Sequence, residues 1–246
     1  MDNKIDLYAD GLKLDEFNKD CGIEIDGYTF NPSLFKKNGA TDYLDYSKKI
    51  LSQSNNKPVS LEVFADEEAG MIKQAKILNS LAENVYVKIP ITFTNKQFTS
   101  KVLYELANEN IKLNITAIFT IEQINKILPL VKETDSILSI FAGRIFDCGV
   151  NATEIMKSIN TKVHNDSKCR TLWASPRMTY DYINAMETKT DIITMQIEQI
   201  KKIKMFEKNL DDYSLETIKI FYEDAKSSGF KIWLTKKILV HIILKK

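Results

Sequence analysis

Along the chain, short runs rich in Val, Ile, Leu and Thr alternate with longer segments whose apolar positions recur every three to four residues. The short runs have the length and composition of strands, and the longer segments have the period of amphipathic helices. Strands are predicted at residues 5–10, 27–31, 59–64, 85–91, 113–119, 137–143, 171–175 and 192–196. Helices are predicted at residues 40–53, 66–82, 95–108, 121–132, 152–162 and 177–187. A short helix at 13–19 separates the first two strands, and a last one at 214–228 stops before Gly229. Several helices carry start signals: Thr41 with Asp42, Asp66 ahead of Glu67 and Glu68, Thr94 or Asn95, and Thr120 three residues before Gln123.

No residue-level repeat is present, but the strand–helix unit recurs about every 27 residues, close to the roughly 30 of a βαβ element. Eight such units close into a (β/α)8 barrel or open into a doubly wound sheet. The open sheet usually carries a glycine-rich phosphate loop after its first strand. Here that strand runs into Asp10-Gly11-Leu12-Lys13, and only 8 glycines occur in the whole chain. The barrel, an α/β TIM barrel followed by a C-terminal helix, is the expected fold. No Pro/Gly/Ser linker divides it. Residues 1–212 are expected to form the barrel, and residues 213–246 a helix and extension packing on it or on a neighbouring subunit.

Composition narrows the class. Apolar residues make up 44% and charged residues 27% of the 246 positions, which excludes disorder, collagen-like repeats and disulfide miniproteins. A net charge of +1 leaves no bulk field toward nucleic acid or an anionic membrane, so neither partner is expected. The charged segment Met1–Asp10 lacks an apolar core, so no secretory leader is expected. The apolar run at 238–244 is broken by His241 and too short to span a bilayer. Cys21, Cys148 and Cys169 are odd in number and show no CxxC spacing, which points to reduced thiols and a cytoplasmic location. With only His164 and His241, a histidine-based metal site or catalytic triad is not expected. Of the 34 basic residues only Arg144, Arg170 and Arg177 are arginines, which asks what a lysine would not do at those three positions. Arg170 reads as a solvated strand-edge charge.

Strand parity then raises the chemistry. In a barrel one face of each strand packs on the helices and the other points inward. In Val85-Tyr86-Val87-Lys88-Ile89-Pro90 the valines and isoleucine take the helix side, so Tyr86 and Lys88 point inward. The same rule places Tyr8, Asp10, Glu62, Asn114, Thr116, Ser139 and Phe141 inside, with Asn31 at the end of the second strand. A lone barrel Asn or Thr reads equally well as a satisfied core polar group. A buried Lys is rare unless paired. Lys beside carboxylates at the C-terminal rim, where sites of this fold lie, is the equipment of Schiff-base chemistry. Trp173 and Tyr86 read as packing.

These residues resemble the transaldolase family, in particular its compact branch that includes fructose-6-phosphate aldolase. The resemblance is carried in order by Tyr8-Ala9-Asp10, Thr29-Phe30-Asn31-Pro32-Ser33-Leu34, Val59-Ser60-Leu61-Glu62-Val63 and Val87-Lys88-Ile89-Pro90. It continues through Asn114-Ile115-Thr116-Ala117, Ser139-Ile140-Phe141-Ala142-Gly143-Arg144-Ile145 and Trp173-Ala174-Ser175-Pro176-Arg177. It implies a barrel with no cofactor and no metal, acting on small sugar phosphates in carbohydrate metabolism, within the pentose phosphate pathway, as a homo-oligomer. It implies that Lys88 forms the Schiff base, that Asp10 is the acid/base at carbon–carbon cleavage, and that Glu62 shuttles protons with a water held by Thr116. Asn31, Asn114 and Ser139 would hold the dihydroxyacetone hydroxyls, and Arg144, Ser175 and Arg177 the phosphate.

The implied reaction moves a dihydroxyacetone unit from sedoheptulose 7-phosphate or fructose 6-phosphate to glyceraldehyde 3-phosphate or erythrose 4-phosphate. Phe141 and Glu62 match transaldolases, where the aldolases of the branch carry Tyr and Gln. Free aldolase activity and an inactive sugar-phosphate-binding barrel are the alternatives. Phe30 and Tyr28 replace smaller residues of the family's second strand. Phe93-Thr94-Asn95-Lys96 also departs from the pattern, and the stretch from Leu234 onward matches nothing.

Overall fold

The computed structural model describes residues 4–232. Eight strands run in one direction and close on themselves in sequence order, from β1 (Asp6–Asp10) and β2 (Gly27–Thr29) through β3 (Val59–Glu62) and β4 (Val85–Pro90). They continue with β5 (Leu113–Ile118), β6 (Ile137–Ile140), β7 (Arg170–Trp173) and β8 (Ile192–Met195). β8 pairs with β1, Tyr8 opposite Thr194, and so closes the ring. This is the expected (β/α)8 barrel. Its helices are α1 (Pro32–Lys37), α2 (Tyr43–Gln53), α3 (Glu68–Asn79), α4 (Ser100–Asn108), α5 (Ile121–Val131), α6 (Ala142–Asp147), α7 (Ala152–Asp166), α8 (Asp181–Glu187) and α9 (Ile197–Lys202).

The helix ends follow local chemistry. Asn31, Asp42 and Glu67 each cap a helix through a side-chain oxygen that accepts a backbone N–H of the first turn. Thr120 and Gln123 form the predicted capping box. Asp66 does not start α3; its carboxylate instead accepts the backbone N–H of Thr94 at 2.8 Å. That bond and an antiparallel bridge between Thr92 and Phe98 hold residues 92–98 as a loop, so α4 begins five residues later than predicted. Residues 177–180 also stay outside a helix, because Asp181 Oδ2 accepts the N–H groups of Arg177 and Met178 at 2.7 and 3.1 Å. The run predicted as a strand over 137–143 ends at Ile140 and turns into α6. Between β1 and β2 only a 3-10 turn forms, at Leu14–Glu16.

Two apolar cores sit back to back across the sheet. Outward-facing Leu7, Ala9, Val59, Leu61, Val85, Val87, Ile89, Leu113 and Ile115 join the helices in the larger core. Inward-facing Tyr8, Tyr86, Ile137, Leu172 and Ile192 form the smaller one, inside the barrel. Phe30 and Tyr28 turn to the helix side, where Phe30 packs on Phe35 with ring centroids 5.3 Å apart and Tyr28 on Phe17 at 4.7 Å. β2 pairs in register with both neighbours, so these bulky residues change its outer packing and leave its inner face free. Gly27 makes room for the Tyr8 ring, whose carbons lie 2.6–2.8 Å from where a Cβ would stand. Trp173 is fully buried and Tyr86 nearly so.

The lower, N-terminal end of the barrel is closed by polar groups. The Arg170 guanidinium donates to Asp6 at 2.6 Å, and Tyr86 donates its hydroxyl to Asp135 at 2.8 Å. Burial pushes the neighbouring Tyr8 phenol up to about 12. Arg170 is therefore a partly buried ion-pair partner and not a solvated strand-edge charge: its side chain is 34% exposed.

The described residues divide into two compact units, one ending at Lys204 and one beginning at Met205. The second holds α10 (Leu210–Ser227), capped by Asn209 through the N–H groups of Asp211 and Asp212. It starts four residues before the predicted position because of that cap. The unmatched stretch from Leu234 lies outside the described residues. Among the described residues no helix is long and apolar enough to cross a membrane.

Candidate active site

The site lies where the strands end. On β4 the period-2 alternation buries Val87 and Ile89 against helices and sends Lys88 into the barrel, where it is 8% exposed. β3 and β4 pair with Glu62 opposite Lys88, and the register brings Lys88 Nζ to 3.1 Å from Glu62 Oε2. A lysine this enclosed needs such a partner, because an isolated buried charge is costly. Tyr43, on α2, fixes the end of β3: its hydroxyl donates to the carbonyl of Glu62 at 2.7 Å and accepts the Glu62 N–H at 3.0 Å.

Asp10 ends β1 across the cavity. Its Oδ1 accepts the Thr29 hydroxyl at 2.7 Å, and Thr29 Oγ1 lies 2.5 Å from Thr194 Oγ1. Thr29 has one proton to give, so with Asp10 ionised Thr194 donates to Thr29 and the chain of hydroxyls points at the carboxylate. Burial raises the Asp10 pKa; the positive charge of Lys88 and the Thr29 hydrogen bond pull it back only in part.

A second polar row crosses β3, β5 and β6. Ser139 donates to Asn114 Oδ1 at 2.6 Å, and Asn114 Nδ2 donates to Ser60 at 2.9 Å. Asn114, in the middle of this row, is wholly buried, while Ser139 lines the cavity. Thr116 also lines the cavity, and its Oγ1 is a buried oxygen with no protein hydrogen-bond partner. Asn31 spends its Oδ1 on capping α1, accepting the Leu34 N–H at 2.9 Å, and lines the cavity. Phe141 follows β6 and stacks on Phe119, ring centroids 5.8 Å apart, with the Arg144 guanidinium 5.4 Å from its own ring.

Arg144 and Ser175 line the same cavity from α6 and the loop after β7. Ser175 has φ +60°, a strained conformation for a residue other than glycine. Its carbonyl oxygen lies 1.7 Å from where a Cβ on Gly143 would stand, so only glycine at 143 lets α6 and this loop meet. Arg177 stands apart. Its guanidinium forks onto Asp147, with Nε 3.0 Å from both carboxylate oxygens and a further short contact from Nη2 to Oδ2.

The cavity thus gathers Asp10, Asn31, Lys88, Thr116, Ser139, Phe141, Arg144 and Ser175 on its wall, with Glu62 and Asn114 one hydrogen bond behind it and Arg177 turned to Asp147. Thr29, Thr194, Ser60 and Tyr43 belong to this network and were not singled out from the sequence. Strand parity does signal the first three, since each shares the inward face of its strand; Tyr43 carries no signal, because its partner is a backbone carbonyl. Chemically the arrangement offers an enclosed amine with a carboxylate to exchange protons, a second carboxyl of raised pKa opposite, neutral hydroxyl and amide groups between them, and a guanidinium at one end.

The model of the transaldolase/fructose-6-phosphate aldolase family matches residues 7–232. A probable transaldolase of Thermoanaerobacter sp. (strain X514) is 30% identical over 228 residues, 92% of this chain and 99% of the relative. A probable transaldolase of Methanococcus maripaludis (strain C5) is 36% identical over 200 residues, 78% and 84% of the two chains. Among solved structures, thiamine phosphate pyrophosphorylase of Pyrococcus furiosus has a TM-score of 0.50 at 10% identity, covering 81% of this chain and 92% of that one, a likeness of fold alone. With its family model spanning nearly the whole chain and its relatives aligned over most of theirs, the chain belongs to the transaldolase/fructose-6-phosphate aldolase family.

Proposed function

We propose that the protein is a transaldolase, moving a dihydroxyacetone unit from a ketose phosphate to an aldose phosphate through a Schiff base on Lys88. The observation that carries this reading is the enclosed Lys88 at 3.1 Å from Glu62, facing Asp10 across a cavity that ends at Arg144. Glu62 takes a proton from the ammonium, and the free amine adds to the ketose C2 carbonyl. The carbinolamine loses water, with Glu62 returning the proton to the departing hydroxyl, and an iminium remains. Thr116, whose hydroxyl has no protein partner, holds that water.

Asp10 then removes the proton of the C4 hydroxyl. The C3–C4 bond breaks, its electron pair moves into the iminium to give an enamine, and the aldehyde phosphate leaves. A second aldehyde phosphate enters, the enamine C3 attacks its carbonyl carbon, and Asp10 protonates the new alkoxide. Water then hydrolyses the iminium and frees Lys88. Burial favours the neutral form of Asp10, which suits a group that must hold a proton between the two half-reactions. Asn31 and Ser139 hold the donor hydroxyls, Asn114 braces Ser139, and Arg144 and Ser175 with Arg177 meet the phosphate. Phe141 presents a ring where a phenol would supply a proton to the enamine, which supports transfer over release of free dihydroxyacetone.

Borohydride reduction in the presence of fructose 6-phosphate is expected to fix a three-carbon adduct on Lys88, read by peptide mass spectrometry. An adduct on another lysine, or none, would overturn the mechanism. Fructose 6-phosphate with and without erythrose 4-phosphate separates the activities: turnover is expected only with the acceptor, and turnover without it would make the enzyme an aldolase.

A further inference from the structure

The fork between Arg177 and Asp147 is the feature of the site that the reaction above does not use. Asp147 ends α6, one turn beyond Arg144 on the same helix, so the two side chains are i, i+3 neighbours. Arg177 lies two residues beyond Ser175, in the loop after β7, and its backbone is pinned because Asp181 accepts its N–H at 2.7 Å. Its side chain is not pinned by packing: Arg177 is 42% exposed and Asp147 52%. The Arg177 guanidinium is therefore held at the end of α6 by a carboxylate that also feels Arg144, a residue of the cavity wall. Hydrogen bonds from Arg177, with Arg144 adding a smaller attraction, keep the Asp147 carboxyl below the usual carboxylate range.

We infer that Asp147 is a competing anion for Arg177 and sets how tightly the phosphate of the substrate is held. Carboxylate and phosphate ask for the same thing from a guanidinium, two roughly parallel N–H donors along one edge. In the structure the Nε/Nη2 edge of Arg177 is occupied by Asp147. A phosphate that uses this edge must displace the carboxylate, and an exposed ion pair is weak enough to be displaced. The apparent affinity for phosphate is then the intrinsic affinity reduced by the fraction of molecules in which Arg177 is free. A transferase gains from this, since the first aldehyde phosphate has to leave before the second can bind. The inference rests on the anion-binding role proposed for Arg144, Ser175 and Arg177.

Asp147→Asn keeps the shape and removes the charge. Calorimetric titration with inorganic phosphate is expected to give binding about two- to fivefold tighter than in the native protein. KM for glyceraldehyde 3-phosphate should fall by a similar factor, while KM for unphosphorylated glyceraldehyde stays unchanged. In an Arg177→Met background the same substitution should bring no gain. Unchanged or weaker phosphate binding in the single variant would overturn the inference, and so would an undiminished gain without Arg177, which would reflect charge removal near Arg144 alone. Borohydride trapping on Lys88 is run on the same proteins. Trapping without tighter phosphate binding defeats this inference and leaves the transaldolase reading standing; tighter binding without trapping defeats that reading and leaves this inference standing.

Discussion

Thr29 has a single hydroxyl proton, and its destination bears on Asp10, the proposed acid/base group. It goes to Asp10 Oδ1 at 2.7 Å, while Thr194 stands 2.5 Å behind to replace what Thr29 gives away. Desolvation raises the Asp10 pKa and this hydrogen bond opposes the rise. Thr29→Val removes the donor at nearly constant volume, so the carboxylate loses stabilisation and the pKa rises further. In the proposed mechanism the acidic limb of the kcat/KM profile requires ionised Asp10, so it is then expected to move to higher pH. Thr194 loses its acceptor at a buried position, and a stability loss of roughly 1–3 kcal/mol should accompany the shift in urea denaturation. A destabilised variant with an unmoved limb would make Thr29 a packing residue.

At the scale of elements, Asp191 ties three of them together just ahead of β8. Its Oδ2 accepts the N–H and hydroxyl of Thr171 on β7 at 2.7 and 3.0 Å, and lies 2.9 Å from Nε2 of His164 near the end of α7. The Asp191 hydrogen bond raises the His164 pKa against the opposing effect of burial. A histidine whose folded pKa lies above its unfolded value of about 6.5 stabilises the fold fully below that pH. The contribution is lost as pH rises through the folded pKa. The half-exposed ring limits it to under about 1 kcal/mol. Urea midpoints are expected to fall between about pH 6 and pH 8 in the native protein and to fall less in His164→Gln. Equal slopes would mean that the ring does not titrate against Asp191. The helices that sequence left out are instructive in the same way. α1 had its signal in Asn31-Pro32, a cap followed by proline at the first helical position. α6 had none, because Phe141 makes no side-chain cap and the helix forms where Gly143 lets the loop after β7 come close.

For the whole molecule, alternation along single strands was enough to place Asp10, Glu62, Lys88, Thr116 and Ser139 inside a closed barrel. Alternation reports a face, however, and not what the face meets. Thr29 and Thr194 are 165 residues apart and touch because β8 closes on β1. Arg177 and Asp147 are 30 residues apart and meet because the loop after β7 passes the end of α6. No local pattern encodes either contact. The same geometry separates the two ends of the barrel. Arg170 and Asp6 close the lower end, while the candidate chemistry lies at the upper one. Arg170→Met leaves Asp6 half-buried without its partner, a cost between the ~1 kcal/mol of an exposed pair and the ~3–5 of a broken buried one. Thermal denaturation should show that loss while kcat and KM stay at native values. A fall in kcat at full stability would mean that the lower end communicates with Lys88.

The back-to-back cores have a consequence for how such a protein changes over generations. Odd and even positions of every strand answer to different demands: one set keeps the helices attached, the other lines the candidate site and the smaller core inside the barrel. A substitution on the outer set, such as Phe30 or Tyr28, is tested against stability alone. A substitution on the inner set bears on the candidate site and on the smaller core inside the barrel together. The two can drift at separate rates, whereas deletion of one residue within a strand exchanges the sets and fails both tests at once.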